Sequence, residues 1–282
     1  MRRLRGIGLV LPLALVVGGC AAGLSAEPNS TADPSGGPAA ARVGPDAAPV
    51  QRLRVEVLER YPHDTAAFTQ GLELHDGDLY EATGQYGESE LRIVDLDSGE
   101  VRRRVSLPDA DFGEGVTVLD SQVWQITWRE GVAYQRDPDT LAEVRKVSYD
   151  GEGWGVCHDE GTDRLVMSDG TDQLTFRDPE SFTETGSVQV SIDGAPLTEL
   201  NELECVGDEV WANVWRTDRI VRIDPASGRV VAEVDAAGLL SDDERAGADV
   251  LNGIAAVPGS DEFLITGKYW PTLFRVRFVP AS

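Results

Sequence analysis

Residues able to bind an amine, move a proton and stabilise developing charge recur at matching points of an internal repeat. Gln70, Glu114, Trp154, Asn201 and Asn252 stand just before the first strand of successive units. A second column closes the next strand of each unit: Gly84, Trp128, Gly170, Trp215 and Lys268. Together the columns hold one carboxylate, one lysine, three carboxamides and three tryptophans. A purely structural repeat would fill such positions with glycine or small apolar residues. Polar and aromatic groups that converge on one concavity make a binding-site hypothesis. Plainer roles exist for each. The tryptophans could pack between units, the asparagines could cap turns, and Gln70 could fill a hydrogen bond. Glu114 and Lys268 could form a buried ion pair, which is a poor stability device because both charges lose their hydration. Functional use is the stronger reading.

The elements that must position these residues follow from the repeat. The units read QGLELHDGDLYEATG from Gln70, EGVTVLDSQVWQITW from Glu114, WGVCHDEGTDRLVMSDG from Trp154, NELECVGDEVWANVW from Asn201 and NGIAAVPGSDEFLITGK from Asn252. Apolar positions alternate by two, as in half-buried strands. Four units continue into a third strand and an Asp-centred turn (LRIVDLDSGEV, AYQRDPDTLAEV, LTFRDPESFTET, IVRIDPASGRVV), then a fourth strand. Four antiparallel strands in each unit of about 40 to 50 residues is the signature of a propeller blade. The chain is therefore expected to be all-β, a five-bladed β-propeller of four-stranded antiparallel blades. The last unit ends in LFRVRFV and lacks a fourth strand. LRVEVLERY from Leu53 should supply it, so that an N-terminal strand closes the ring and leaves no free edge. Only residues 238–248 hint at a short helix.

The 282 residues carry a formal charge of −24 and are 41% apolar. That is enough for a core, and the acidity argues against nucleic acid, whose phosphates require a Lys/Arg stripe. Residues 1–19 read as a signal peptide, with three early arginines, an apolar run too short to span, and Val17-Gly18-Gly19 before Cys20. The small-residue pair followed by cysteine is similar to a bacterial lipobox, so Cys20 is expected to carry lipid. Residues 20–50, rich in Ala, Pro, Gly and Ser, read as a disordered tether, and residues 51–282 as the folded domain. The protein is then an exported envelope lipoprotein on the outer face of the membrane, touching the membrane only through its anchor, and a monomer. Cys157 and Cys205 differ by one residue in register, which points them to opposite faces and favours two buried thiols, although export permits a disulfide. His63, His75 and His158 fall away from the columns and read as surface or turn residues. With so few histidines and no paired-cysteine spacing, a Cys/His metal site is not expected.

The motifs FTQGLEL, FGEGVT, VWQITW, GEGWG, LNELE, VWANVW, LNGIA and ITGKYWP occur in order over residues 55–278. In this they resemble the plant and bacterial glutaminyl-peptide cyclotransferases. The resemblance implies a five-bladed propeller that converts N-terminal Gln of peptides or proteins to pyroglutamate with loss of ammonia. N-terminal Glu would be a slower substrate class, and the catalytic step would need no metal or other cofactor. Plant members carry a structural metal ion, calcium or zinc, whose presence here the sequence does not predict. On this reading Glu114 takes and returns the proton, while Lys268, Asn201 and Gln70 are the donors to the oxyanion. Phe68, Phe112, Trp128, Trp154 and Trp215 form the substrate-binding walls, with Asn252 beside them.

Two other functions fit a propeller, because fold alone does not fix chemistry. One is a non-catalytic surface protein that binds a peptide or envelope component at the same mouth. The other is a metal-dependent lactonase-like enzyme, for which one carboxylate and three carboxamides make a thin ligand set.

Overall fold

The structure, a computed structural model, describes residues 48–281. The expected signal peptide, Cys20 and all but the last three residues of the expected tether lie outside the described residues. The described chain is all-β apart from one short helix; three runs of four strands form separate antiparallel sheets and the other strands join in one ten-stranded sheet, a propeller-like arrangement. After β1 (Gln51–Pro62), the first sheet is β2 (Thr69–His75), β3 (Asp78–Thr83), β4 (Glu90–Val94) and β5 (Val101–Ser106). The second is β6 (Gly113–Leu119), β7 (Gln122–Thr127), β8 (Val132–Arg136) and β9 (Glu143–Ser148). The third is β10 (Val156–Asp159), β11 (Arg164–Ser168), β12 (Gln173–Arg177) and β13 (Glu184–Gln189).

A small hairpin, β14 (Ser191–Ile192) and β15 (Ala195–Pro196), precedes the antiparallel run β16 (Leu200–Val206), β17 (Glu209–Val214), β18 (Arg219–Asp224) and β19 (Arg229–Asp235). A four-residue helix, α1 (Asp242–Arg245), follows and is capped by Ser241, whose side chain accepts from Glu244 N. It falls inside the segment where the sequence hinted at a helix. Next come β20 (Leu251–Ala256), β21 (Glu262–Gly267) and β22 (Thr272–Pro280). β22 pairs antiparallel with β1 from Leu53↔Pro280 to Pro62↔Thr272, so the first and last strands of the described chain share one sheet. The far end of β1 also pairs in parallel with β19.

The third-to-fourth strand turns form where an aspartate accepts from a Ser or Thr three residues on. Examples are Asp95–Ser98, Asp137–Thr140, Asp178–Ser181 and Asp224–Ser227. Such side chains mimic a backbone turn, so the repeated Asp is what folds each outer hairpin. The first strands of successive sheets lie beside one another in the order β2, β6, β10, β16, β20, and β20 returns to β2. Glycine permits this approach. A Cβ on Gly71 would stand 2.5 Å from Val116 N, and one on Gly115 2.7 Å from Val156 N. The apolar core occupies the spaces between neighbouring sheets, as in the cluster of Trp124, Ile126, Val156, Leu165 and Phe182.

Two expectations are corrected. Cys157 on β10 and Cys205 on β16 are joined in a disulfide with Cα atoms 5.5 Å apart. Opposite faces keep side chains apart only within one sheet. These strands belong to neighbouring sheets packed face to back, so opposite orientation turns the two sulfurs towards each other. His63 is also no surface residue. Its side chain is 4% exposed, with Nε2 3.0 Å from Glu81 Oε1 and Nδ1 2.7 Å from the Trp270 carbonyl. Arg92 holds the other oxygen of Glu81 at 2.8 Å, so the imidazole completes a buried ion cluster. His75 and His158 do sit at the ends of hairpins, beside Asp76 and Asp163.

Candidate active site

Bulges aim the polar column. Four inner strands slip register at the column residue: between Thr69 and Gly71, Gly113 and Val116, Leu200 and Leu203, and Leu251 and Ile254. A bulge inserts an unpaired residue and turns its side chain out of the pleat. Gln70, Glu114, Asn201 and Asn252 are thereby turned inward and are all buried. The second column is set by equivalent backbone bonds. Gly84 N–H donates to Phe68 O, Trp128 to Phe112 O, Trp215 to Glu199 O and Lys268 to Val250 O, at 2.8–3.0 Å.

The structure brings most of the predicted residues together in two linked groups. The polar group is a relay. Asn252 Nδ2 donates to Gln70 Oε1 (3.3 Å) and to Thr69 O (3.0 Å), and Gln70 Nε2 donates to Glu114 Oε1 (2.9 Å). Asn252 therefore braces Gln70 from below. Lys268, 4% exposed, holds its ammonium over the Phe68 ring, 4.4 Å from the centroid. Asn201 is buried, and its Oδ1, like that of Asn252, has no hydrogen-bond partner among the described residues. Buried acceptors left open in a polar recess are fitted to receive donors from a ligand.

The aromatic group walls this recess. Phe68 meets Phe112 edge-on at 6.0 Å, Phe112 meets Trp128 at 5.5 Å, and Trp154 meets Trp215 at 5.3 Å. Sequence reasoning missed the residue that joins the two halves. Glu152 accepts from both indoles, Trp128 Nε1 at 2.8 Å and Trp154 Nε1 at 3.1 Å, and its other oxygen takes Arg129 at 2.9 Å. It stands two places before Trp154, the repeat position held by Phe68 and Phe112, where a carboxylate was a visible departure. Tyr86 and Tyr269 were missed as well. Each packs on a wall phenyl at 5.3 Å, and neither falls in either column.

The electrostatics are those of a site able to exchange protons. Burial pushes the Glu114 carboxyl well above the ordinary carboxylate range; Lys268 pulls it back, and Glu130 and Glu152 add to the rise. Burial lowers the Lys268 ammonium, against the attraction of Glu114 and Asp249. Environments of this kind are the ones that tune general acids and bases. Glu152 is held below the usual range; its burial is outweighed by the bonds from Trp154, Arg129 and Trp128.

A cavity of about 740 Å³ opens at the other end of the inner strands, lined by Glu73, Thr117, Glu160, Glu204 and the two half-cystines among others. Burial raises Glu73 to about 8 and Glu204 well above its usual range. Nothing there supplies the lysine, carboxamides and aromatic walls found around Glu114, so volume does not identify the reactive end. Among the described residues no group of three or more His, Cys, Asp or Glu side chains is placed to hold a metal ion.

Comparison with known proteins agrees with this geometry. Residues 30–278 match the family model described as glutamine cyclotransferase. A glutaminyl-peptide cyclotransferase of Arabidopsis thaliana is 38% identical over 234 residues, covering 81% of this chain and 72% of that protein. The crystal structure of the Myxococcus xanthus glutaminyl cyclase superposes with a TM-score of 0.74 at 38% identity, over 83% of this chain and all of that one.

Proposed function

This chain belongs to the glutamine cyclotransferase family, and from that premise we propose that it converts the N-terminal glutamine of peptides or proteins to pyroglutamate, releasing ammonia. The observation that carries the proposal is a buried Glu114 oriented by Gln70, beside a buried Lys268 and inside an aromatic wall. The substrate ammonium enters towards Glu114. An α-amine has a pKa of about 7.7–8.0, and a carboxyl raised by burial is a better-matched base for it than an ordinary one. Glu114 takes one proton, and the free amine attacks the side-chain carbonyl carbon to close the five-membered ring. The carbonyl oxygen becomes an oxyanion, stabilised by Lys268 and by the amide groups of Asn201 and Gln70. The tetrahedral intermediate collapses as Glu114 returns its proton to the departing nitrogen, which leaves as ammonia. The freed Glu114 carboxylate then takes the surplus proton from the ring nitrogen, cationic since the attack, and passes it to the ammonia, which departs as ammonium, so Glu114 ends as it began.

Asn201 Oδ1 is open to accept an N–H of the bound glutamine. Phe68, Phe112, Trp128, Trp154 and Trp215 hold the chain folded for attack and limit water. Because the reaction is intramolecular, such positioning supplies much of the acceleration. N-terminal glutamate is a slower substrate, since its leaving group is an oxygen that must also be protonated. The enzyme is an aminoacyltransferase in class, and the step runs without metal.

The same proposal covers the architecture and location. The domain of residues 51–282 is a five-bladed propeller, residues 1–19 a signal peptide, Cys20 the lipid-bearing residue and 20–50 a tether, giving a monomeric envelope lipoprotein. Ammonia release from a Gln-Phe peptide, measured with and without chelator, tests the chemistry. Turnover indifferent to chelator is expected. No turnover would favour the non-catalytic binding protein, and chelator-sensitive turnover would favour a metal-dependent reaction.

A further inference from the structure

One buried charged residue takes no part in the chemistry above and breaks the repeat. The position after the polar column is glycine in four units (Gly71, Gly115, Gly155, Gly253) and glutamate in the remaining one, Glu202. Glu202 is 1% exposed. From β16 its side chain reaches two other inner strands: Oε1 accepts Leu72 N on β2 at 3.2 Å, and Oε2 accepts Ile254 N on β20 at 2.7 Å. Both oxygens are used, and each satisfies an inward-facing backbone donor of a different sheet.

The two bonded residues lie two places after Gln70 and Asn252, just past the bulges that turn those side chains inward. Asn252 in turn braces Gln70, and Gln70 orients Glu114. Burying a carboxylate is a poor way to gain stability alone, and the other units close this position with glycine. The carboxylate thus has a local purpose in one unit.

We propose that Glu202 is a positioning residue for the cyclisation site: it pins the inner ends of β2 and β20 together and so holds Gln70 and Asn252 in register with Glu114. This rests on the reading of the Glu114 end as the cyclisation site. Glu202 makes no contact with the reacting atoms and acts through the backbone of the strands that carry them.

The test compares Glu202→Gln, Glu202→Asp and a Leu141→Ala control, whose lost side chain is buried in the outer turn between β8 and β9. Glutamine keeps one acceptor and turns an amide NH2 on the other backbone donor. Aspartate keeps both acceptors on a shorter arm. Kinetics of ammonia release, thermal melts and the side-chain amide signals of Gln70 and Asn252 in 1H–15N spectra are read together. Expected for Glu202→Gln is a folded protein with kcat lowered about 10²-fold, the scale on which small misplacements act, and KM little changed. Aspartate should recover part of kcat, and the two amide signals should move in the Glu202 variants and stay in place in the control. Wild-type kcat in a folded Glu202→Gln, or an equal kcat loss in the control, would overturn the inference. If glutamine prevents folding, the aspartate variant carries the same comparison. If the wild type releases no ammonia, the proposed function fails instead, and the amide signals still decide whether Glu202 places Gln70 and Asn252; unmoved signals reject it.

Discussion

Glu114→Gln should move activity and stability in opposite directions, and the structure gives the sign of each. Glutamine has the shape of glutamate and its oxygen can still accept from Gln70 Nε2, so the relay keeps its geometry. What disappears is the group that takes and returns the proton. General acid–base catalysis contributes about 10²–10⁴-fold, so turnover should fall by that factor with KM changed much less. Stability should rise. The Glu114 carboxyl in the folded protein titrates above its ordinary 4.5 because burial outweighs the pull of Lys268. A carboxylate raised in this way contributes stability that is fully present below about pH 4.5 and is lost as pH rises through the folded value. Ionising it in place therefore costs the native state at pH 8 and costs nothing at pH 4.5. Loss of the attraction to Lys268 does not reverse the sign, because that attraction is already contained in the net upward displacement. Every tenfold weakening of the acid corresponds to about 1.4 kcal/mol, and each kcal/mol moves Tm by about 2–4 °C for a domain of this size. Melting curves of both proteins at pH 4.5 and pH 8, beside an ammonia-release assay, read the two effects. The variant should melt above wild type at pH 8, with the gap closing towards pH 4.5. A gap that does not depend on pH, or turnover within a few-fold of wild type, would refute the assignment of Glu114 as a buried proton carrier.

Removing the disulfide with Cys157→Ser/Cys205→Ser frees a loop closed over a sequence separation of 48; loop entropy makes such a closure worth about 4 kcal/mol, so Tm should fall by about 8–16 °C, and a fall below about 2 °C would show that the bond constrains little. Glu81, lowered to about 2 by His63 and Arg92 against its burial, contributes stability present above about pH 4.5 and lost as pH falls towards 2; urea unfolding should show Glu81→Gln well below wild type at pH 6, with the difference shrinking by pH 3. Gly84→Ala places a methyl against the Phe112 ring edge, and overpacking of this kind costs about 1–3 kcal/mol; KM for a Gln-peptide should rise as Phe112 shifts, and an unchanged KM would mean that this wall does not touch substrate.

Much of this architecture is written in the sequence because a repeat amplifies weak signals. One alternating strand is ambiguous, yet the recurrence of strand, turn and Asp-centred hairpin around Gln70, Glu114, Trp154, Asn201 and Asn252 leaves few alternatives. Alignment of the repeats also finds the two columns, since equivalent positions in successive sheets face the same recess. What alignment does not supply is the relation between neighbouring sheets. Alternation within a strand sets the expected faces of Cys157 and Cys205, whereas their bond crosses from one sheet to the next. His63 precedes the first unit, so no repeat position predicts that it caps Glu81 and Arg92. Glu152 lies inside the GEGWG motif, but its bonds to Trp128 and Trp154 depend on two loops meeting.

The residues that matter most are those at which one unit departs from the others. A ring of identical units would present identical side chains to its centre, and no position in it could act as base while another acts as oxyanion donor. Glu114 is the carboxylate in a column otherwise made of carboxamides and a tryptophan. Lys268 is the cation in a column of tryptophan and glycine. Gly84 is small in that same column because Phe112 occupies the space a side chain would need. Glu202 replaces a glycine and ties three inner strands where glycine could tie none. Each departure carries a cost that the shared pattern avoids: buried charge at Glu114, Lys268 and Glu202, and lost side-chain packing at Gly84. Costs of this kind persist where something other than stability holds them in place, and three of them, Glu114, Lys268 and Gly84, border the recess that Glu202 helps to align. Departures from the unit pattern are therefore a better guide to the reactive end than cavity volume, which points to the opposite one.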